Sequence, residues 1–373
     1  MKVKVAQTLC LAASIFVAGC TTDNDVPALG TFIDHGFIPA QVDASQNISE
    51  FQTAIYNNDH IFVATTDGLW KNNLSTKVWS RAGLEGKGIT AIFKHPTIAD
   101  KFLAGVRSDS PSQKTVYISN DGGESWQPAN APISNPDQYE DYACFAVRPE
   151  NPNHIFASLG GGATTVVSTD GGDNWVRQNN DSESYWGYAT NIVFIPNDPE
   201  KLYQGGEGPL DFAWLRSYKI NSTNPVMLSE SSTIMDIETW GNRRPNELQT
   251  FSYTGNSIYV GQEGALSKVT GSTNKFIFKA EEEGNLPYTY VYGLWVDPFN
   301  PNHLIFGGSQ NGGEDMNLYE TFNEGKSIRR FEDKMGFSVP NVREIVSTNT
   351  FPGIIINDDG ADKVKLYLYQ PPS

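Results

Sequence analysis

RPENPNHIFASLGG (residues 148–161) joins a turn of Pro, Asn and Glu to a short apolar strand ending in small residues. The unit recurs as NNDHIFVATTDG from Asn57, HPTIADKFLAGV from His95, IPNDPEKLYQGGEG from Ile195, TGNSIYVGQEG from Thr254, DPFNPNHLIFGGSQNGG from Asp297 and TFPGIIINDDG from Thr350. The strands start near Ile61, Phe102, Ile155, Leu202, Ile258, Leu304 and Gly353, at steps of 41 to 56 residues. An alternating apolar run precedes each copy, such as ITAIF from Ile89, YACFAV from Tyr142 and VREIVST from Val342. A third run follows several copies, such as KTVYIS from Lys114 and VKLYLY from Val364. Period-two alternation marks half-buried strands, and no stretch carries the 3.6-residue period of an amphipathic helix. The chain is therefore expected to be all-β, a single seven-bladed β-propeller of four-stranded antiparallel blades. The last repeat holds only three strands after Asn341, so residues 31–38 (TFIDHGFI) are expected to add the fourth and close the ring.

Composition agrees with many short strands and tight turns. The 373 residues include 34 glycines and 21 prolines, and aromatic residues make up 12%. A hydrophobic share of 39% excludes a disordered acidic polymer. A net charge of −16 argues against a nucleic-acid binder, which would show a basic footprint. Three cysteines, two of them within the first twenty residues, make no disulfide framework. Cys144, in the apolar run YACFAV, reads as an inert core thiol.

The most specific motifs lie between third and fourth strands. Ser119, Asp121, Gly123, Ser125 and Trp126 fit S-x-D-x-G-x-[ST]-W at every position. Ser168, Asp170, Gly172 and Trp175 fit it with only Asn174 off pattern. TFNEGKSI from Thr321 is a degraded copy, and Trp79 is a remnant of another. Physically this is a hairpin turn: the carboxylate accepts backbone N–H bonds, Gly supplies positive φ, and Trp packs between strands. The pattern resembles the Asp-box (BNR) repeats of sialidases, sortilin-type receptors, two-propeller xyloglucanases and photosystem II assembly factors. The glycine- and glutamine-bearing GGSQNGG from Gly307 is similar to a turn of the sortilin and xyloglucanase branches. The resemblance implies that the boxes are structural and that Asp121 and Asp170 are not catalytic.

The enzymatic branches fit less well. GFIP from Gly36 lacks the arginine of the sialidase motif, and the resemblance implies six blades for sialidases where seven repeats are counted. The xyloglucanase cleft lies between two propellers, and this chain has length for one. Glu207, Asp211, Glu263, Glu314, Asp358 and Asp359 offer carboxylates in candidate loops, but sequence supplies no distances. His60, His95, His154 and His303 each enter a second strand, at the end that carries the boxes, and cannot share a metal. The acid runs Glu281–Glu283 and Asp358–Asp362 leave calcium open as the one cofactor, without an EF-hand spacing. No other cofactor or metal is expected.

The opposite end is expected to carry the working surface. Its segments hold Trp186, Tyr188, Arg243, Arg244, Tyr290, Tyr292 and Arg343, with Glu207 and Gln310 added by second-to-third connections. Arginine binds carboxylates, and aromatic faces stack on sugars or partner side chains.

Residues 1–19 form a short basic start and an apolar run too brief to span a bilayer. Their end, Val17-Ala18-Gly19-Cys20, resembles the bacterial lipoprotein signal, which implies cleavage before Cys20 and lipidation of its sulfur. Residues 20–30 then form a tether with a root-mean-square reach of roughly 17 Å, and residues 31–373 the propeller. Thr21 stands where an inner-membrane retention signal has Asp, so the resemblance implies an outer-membrane anchor, facing either the periplasm or the surface. Two functions remain. One is an envelope lipoprotein, a monomeric ring that binds a glycan or protein partner without catalysis. The other is a glycoside hydrolase or polysaccharide lyase acting on extracellular glycans.

Overall fold

A computed structural model describes residues 30–39, 51–107, 115–130, 141–159, 165–178, 188–208, 212–220, 228–235, 248–262, 264–279, 289–310, 317–331, 340–349, 351–358 and 363–371. These residues form 28 strands and no helix, gathered into seven four-stranded antiparallel sheets. Strand β1 (Thr31–Phe37) stands apart from its sequence neighbours. Blade 1 holds β2 (Phe51–Asn57), β3 (His60–Thr65), β4 (Gly68–Asn73) and β5 (Trp79–Arg81). Blade 2 holds β6 (Ile89–Lys94), β7 (Phe102–Val106), β8 (Thr115–Ser119) and β9 (Gln127–Pro128). Blade 3 holds β10 (Tyr142–Val147), β11 (Ile155–Leu159), β12 (Thr165–Ser168) and β13 (Val176–Arg177). Blade 4 holds β14 (Tyr188–Ile195), β15 (Asp198–Gly208), β16 (Phe212–Ile220) and β17 (Leu228–Met235). Blade 5 holds β18 (Leu248–Thr254), β19 (Ser257–Gln262), β20 (Ala265–Thr270) and β21 (Thr273–Lys279). Blade 6 holds β22 (Thr289–Val296), β23 (Leu304–Gln310), β24 (Asn317–Thr321) and β25 (Arg329–Arg330). Blade 7 holds β26 (Pro340–Val346), β27 (Gly353–Asp358) and β28 (Lys363–Gln370).

The fourth strand of blade 7 is β1, antiparallel to β28 from Thr31↔Gln370 to Phe37↔Lys365. The expected closure of the ring by residues 31–38 is therefore borne out, down to the Ile38 N–H donating to Val364 O at 2.9 Å. Phe32 packs edge-on against Phe331 of blade 6 at 5.2 Å, and Asp34 pairs with Lys365 at 2.7 Å. β1 also reaches blade 1, because the Trp79 indole N–H donates to His35 O at 2.9 Å.

First strands of successive blades lie side by side, and β2 meets β26, so the ring closes on its innermost strands. Among the described residues the core separates into seven apolar clusters, each spanning one boundary between adjacent blades. Ile61 and Val63 meet Val346, Ile355 and Leu366 between blades 1 and 7, for example. Second strands are buried on both faces, as in Phe102–Val106, which explains their unbroken apolar runs.

One regularity escapes the sequence pattern. Every first strand carries a β-bulge near its start, with one extra residue: Gln52, Thr90, Ala143, Thr190, Gln249, Tyr292 and Arg343. In blades 2 and 4 to 6 a glycine of the second strand lies opposite the bulge, for want of room, whereas blade 7 has Ile355 and Ile356 there. A Cβ on Gly308 would fall 1.4 Å from Tyr290 O, and one on Gly105 would fall 2.5 Å from Tyr142 Cβ of blade 3.

Candidate functional site

Connectivity gives the ring two ends. The base carries the first-to-second and third-to-fourth connections, and the mouth carries the others. At the base, the Ser119 hydroxyl donates to Asp121 Oδ1 at 2.8 Å and accepts from Gly123 N–H at 2.8 Å. Asp121 Oδ1 also accepts the Ser125 N–H at 2.9 Å, and the Ser125 hydroxyl donates to Oδ2 at 2.5 Å. These bonds, led by the Ser125 hydroxyl, hold the Asp121 carboxyl down at about 2. Asp170 repeats the arrangement with Ser168, Gly172 N–H and Asn174, whose amide replaces the hydroxyl at 2.6 Å. In the degraded copy Asn323 takes the aspartate's place, accepting from Ser327 N–H at 2.8 Å. Trp126 donates to Ala82 O of blade 1 at 2.9 Å, as Trp79 does to blade 7, and Trp175 is buried between blades 2 and 3. All box groups are consumed within the fold.

Acids within the boxes also grip the preceding blade. Glu124 pairs with Lys71, and Glu324 pairs with Lys268 at 2.6 Å and Lys275 at 2.8 Å. The base histidines are structural as well. His95 Nε2 bonds Pro152 O of the next blade at 2.8 Å. His303 lies between Asp297 at 3.2 Å and the fully buried Glu320 at 2.9 Å, and Glu320 further binds Arg329 and the Tyr369 hydroxyl. Among the described residues no group of His, Cys, Asp and Glu is arranged to hold a metal ion.

Toward the mouth, the structure corrects one expectation. Glu207 and Gln310, expected in second-to-third connections, lie within second strands, while Tyr188, Tyr290, Tyr292 and Arg343 lie within first strands. Trp186, Arg243 and Arg244 lie outside the described residues, as do Cys20 and Glu281–Glu283. For Tyr188, Glu207 and Gln310 the backbone alone is described, pairing Tyr188 with Glu207 and Thr289 with Gln310.

Three of the expected residues come together on the inner ring. Tyr290 and Tyr292 are near parallel, with ring centroids 6.1 Å apart. Tyr292 and Arg343 occupy the bulges of adjacent blades and interact electrostatically. Burial pulls the Arg343 guanidinium below its usual range, with Tyr292 acting in the opposite sense. No carboxylate among the described residues pairs with Arg343. Its neighbour Glu344 turns away: Oε2 accepts the Ala54 N–H of blade 1 at 3.1 Å, and burial pushes the carboxyl up to about 8. At neutral pH Glu344 is thus largely uncharged, and among the described residues no anion compensates the guanidinium. Cys144, the residue after the blade 3 bulge, is likewise enclosed, with its thiol pushed up to about 12. Arg107 is engaged at the mouth by Asp141 at 2.8 Å.

No protein-family model matches the chain, and no curated protein matches it in sequence. Among solved structures it is similar to YCF48 bound to D1 peptide, with TM-score 0.60 and 12% identity over 95% of this chain and 99% of that one. It is similar to the β-propeller domain of Myceliophteria thermophila Cps50 (Swd1), with TM-score 0.60 and 12% identity over 90% of this chain and 99% of that one. It also resembles the Niastella koreensis GH74 enzyme, with TM-score 0.60 and 15% identity over 89% of this chain and 52% of that one. The chain spans about half the length of the GH74 structures it matches. At these identities the likeness is one of fold.

Proposed function

We propose that the chain is a lipid-anchored envelope protein whose propeller mouth binds a glycan or protein partner without catalysis. The observation that carries this reading is Arg343, a half-buried guanidinium with no carboxylate partner among the described residues, beside the Tyr290–Tyr292 pair. A half-buried cation has lost part of its hydration, and a ligand carboxylate or similar anion would offset that cost. The aromatic pair adds faces for stacking on a sugar ring or an apolar side chain. A rigid ring with its variable connections at one end suits recognition. The peptide-bound YCF48 structure, matched over nearly its whole length, supports a single propeller acting as a binding module. The anchor rests on the resemblance of the segment ending at Cys20 to a lipoprotein signal.

The test is an array of anionic glycans and peptides probed with the soluble protein from Thr22 onward. Arg343→Ala should weaken binding about tenfold, the worth of one charge-assisted contact, and Tyr292→Ala about three- to tenfold, the worth of one stacking face. His154→Ala should leave it unchanged. Loss of binding in His154→Ala with retention in Arg343→Ala would overturn the placement at the mouth. Appearance of reducing ends or unsaturated products from a bound glycan would replace the binding reading with an enzymatic one.

A further inference from the structure

The path of the chain into the ring bears on how the protein sits in the envelope. β1 begins at the base: Thr31 pairs with Gln370, at the end of β28 where Tyr369 N–H donates to Pro352 O beside the start of β27. Gly30 is pressed there, where an added Cβ would lie 2.4 Å from the Tyr369 ring. Cys20 is ten residues earlier. Ten residues span at most about 35 Å fully extended, and roughly 17 Å as a flexible chain. β28 has eight residues and so rises about 26 Å from mouth to base. An ordinary tether therefore does not carry an anchor past the mouth. Only a nearly stretched one does.

The exposed large apolar side chains among the described residues are Phe299 at 88%, Val78 at 59%, Val176 at 49% and Phe37 at 38%. Three of them, Phe299, Val78 and Val176, lie at the base, in blades 6, 1 and 3, while most connections at the mouth lie outside the described residues. Phe299 is held outward by a tight turn, with Asp297 Oδ1 accepting its N–H at 2.8 Å and that of Asn300 at 3.2 Å. Val78 and Val176 adjoin the packed indoles of Trp79 and Trp175.

We infer that the base lies against the bilayer that carries the anchor, with Phe299, Val78 and Val176 at the head-group boundary and the mouth directed away. This rests on the reading of Cys20 as lipidated. Asp100, Asp121, Glu124, Glu150 and Asp170 share the base, so the surface is no basic patch. Its contact with lipid comes from the acyl anchor and the apolar side chains. The consequence for the binding mouth is access to large ligands, free of the membrane.

The experiment uses the full-length, lipidated protein in phosphatidylethanolamine–phosphatidylglycerol vesicles that contain a nitroxide-labelled phospholipid. A bimane probe is placed at Phe299→Cys, at Val78→Cys and, on the mouth connection between β5 and β6, at Glu85→Cys. Quenching at the first two positions should exceed that at Glu85→Cys by about twofold or more, and should survive high salt. Equal or stronger quenching at Glu85→Cys, in protein that carries a fatty-acid label and floats with the vesicles, overturns the orientation alone. Absence of the label and of flotation overturns the anchor and the orientation together.

Discussion

Glu344 shows how one side chain acts at the seam between the last and first blades. Its carboxyl, pushed up to about 8 by burial, holds a proton that the unfolded chain has released above pH 4.5. The native state then binds more protons than the unfolded state, so stability falls as pH rises from about 4.5 through 8, by up to about 1.4 kcal/mol per pH unit. Glu344→Gln keeps the shape and an oxygen for the Ala54 N–H without the titration. It should flatten the decline and melt higher than wild type at pH 8, measured by thermal unfolding across pH. Identical slopes in both proteins would show that Glu344 does not titrate in this window. Arg343, one residue earlier, was legible in sequence as an arginine near loop aromatics. Its partial burial was not, because it depends on the bulge that sends Arg343 toward Tyr292 and Glu344 toward β2.

At the scale of the element, the Asp-box turn was the most legible feature, since its Ser, Asp, Gly and Trp each have a local task. Its grip on the preceding blade was hidden, because Lys71, Lys268 and Leu103 come from distant parts of the chain. Gly172 joins both levels. Its φ is +106°, and an added Cβ would lie 3.0 Å from Leu103 Cδ2 of blade 2. Gly172→Ala should therefore cost about 1–3 kcal/mol. Gly255→Ala, at φ +60° with nothing within 4 Å, should cost only about 1 kcal/mol for the left-handed backbone. Urea midpoints of the two variants measure the difference. A Gly172→Ala midpoint equal to that of Gly255→Ala would mean that the neighbouring blade yields without cost. The repeats themselves were legible for the same local reason: each second strand is buried on both faces and each turn uses Pro, Asn and Asp. The register of the bulges was not, since an extra residue leaves composition unchanged and only disturbs alternation.

For the whole molecule, closure decides whether seven blades behave as one body. Each blade buries its apolar residues only against its neighbours, so a gap at any boundary exposes two faces and a sheet edge. β1 seals that gap with a sequence far from the rest of blade 7. It gives β28 a partner, packs Phe32 on Phe331 and Tyr369, and presents His35 O to Trp79. It thereby touches blades 6, 7 and 1 together. Counting strands after Asn341 was enough to anticipate this, because a three-stranded last blade cannot be complete. A chain that begins at Gly30 should unfold in one cooperative transition. A chain that begins at Pro39 lacks β1 and leaves the edge of β28 bare. It should melt broadly, bind an apolar dye and associate through that edge, as followed by calorimetry and light scattering. Phe32→Ala keeps the strand and should lower stability by about 2–3 kcal/mol with cooperativity intact. If the chain from Pro39 melts as sharply and at the same temperature as the chain from Gly30, the ring is held shut by its blade-to-blade cores alone, and β1 serves only as the lead-in from the tether.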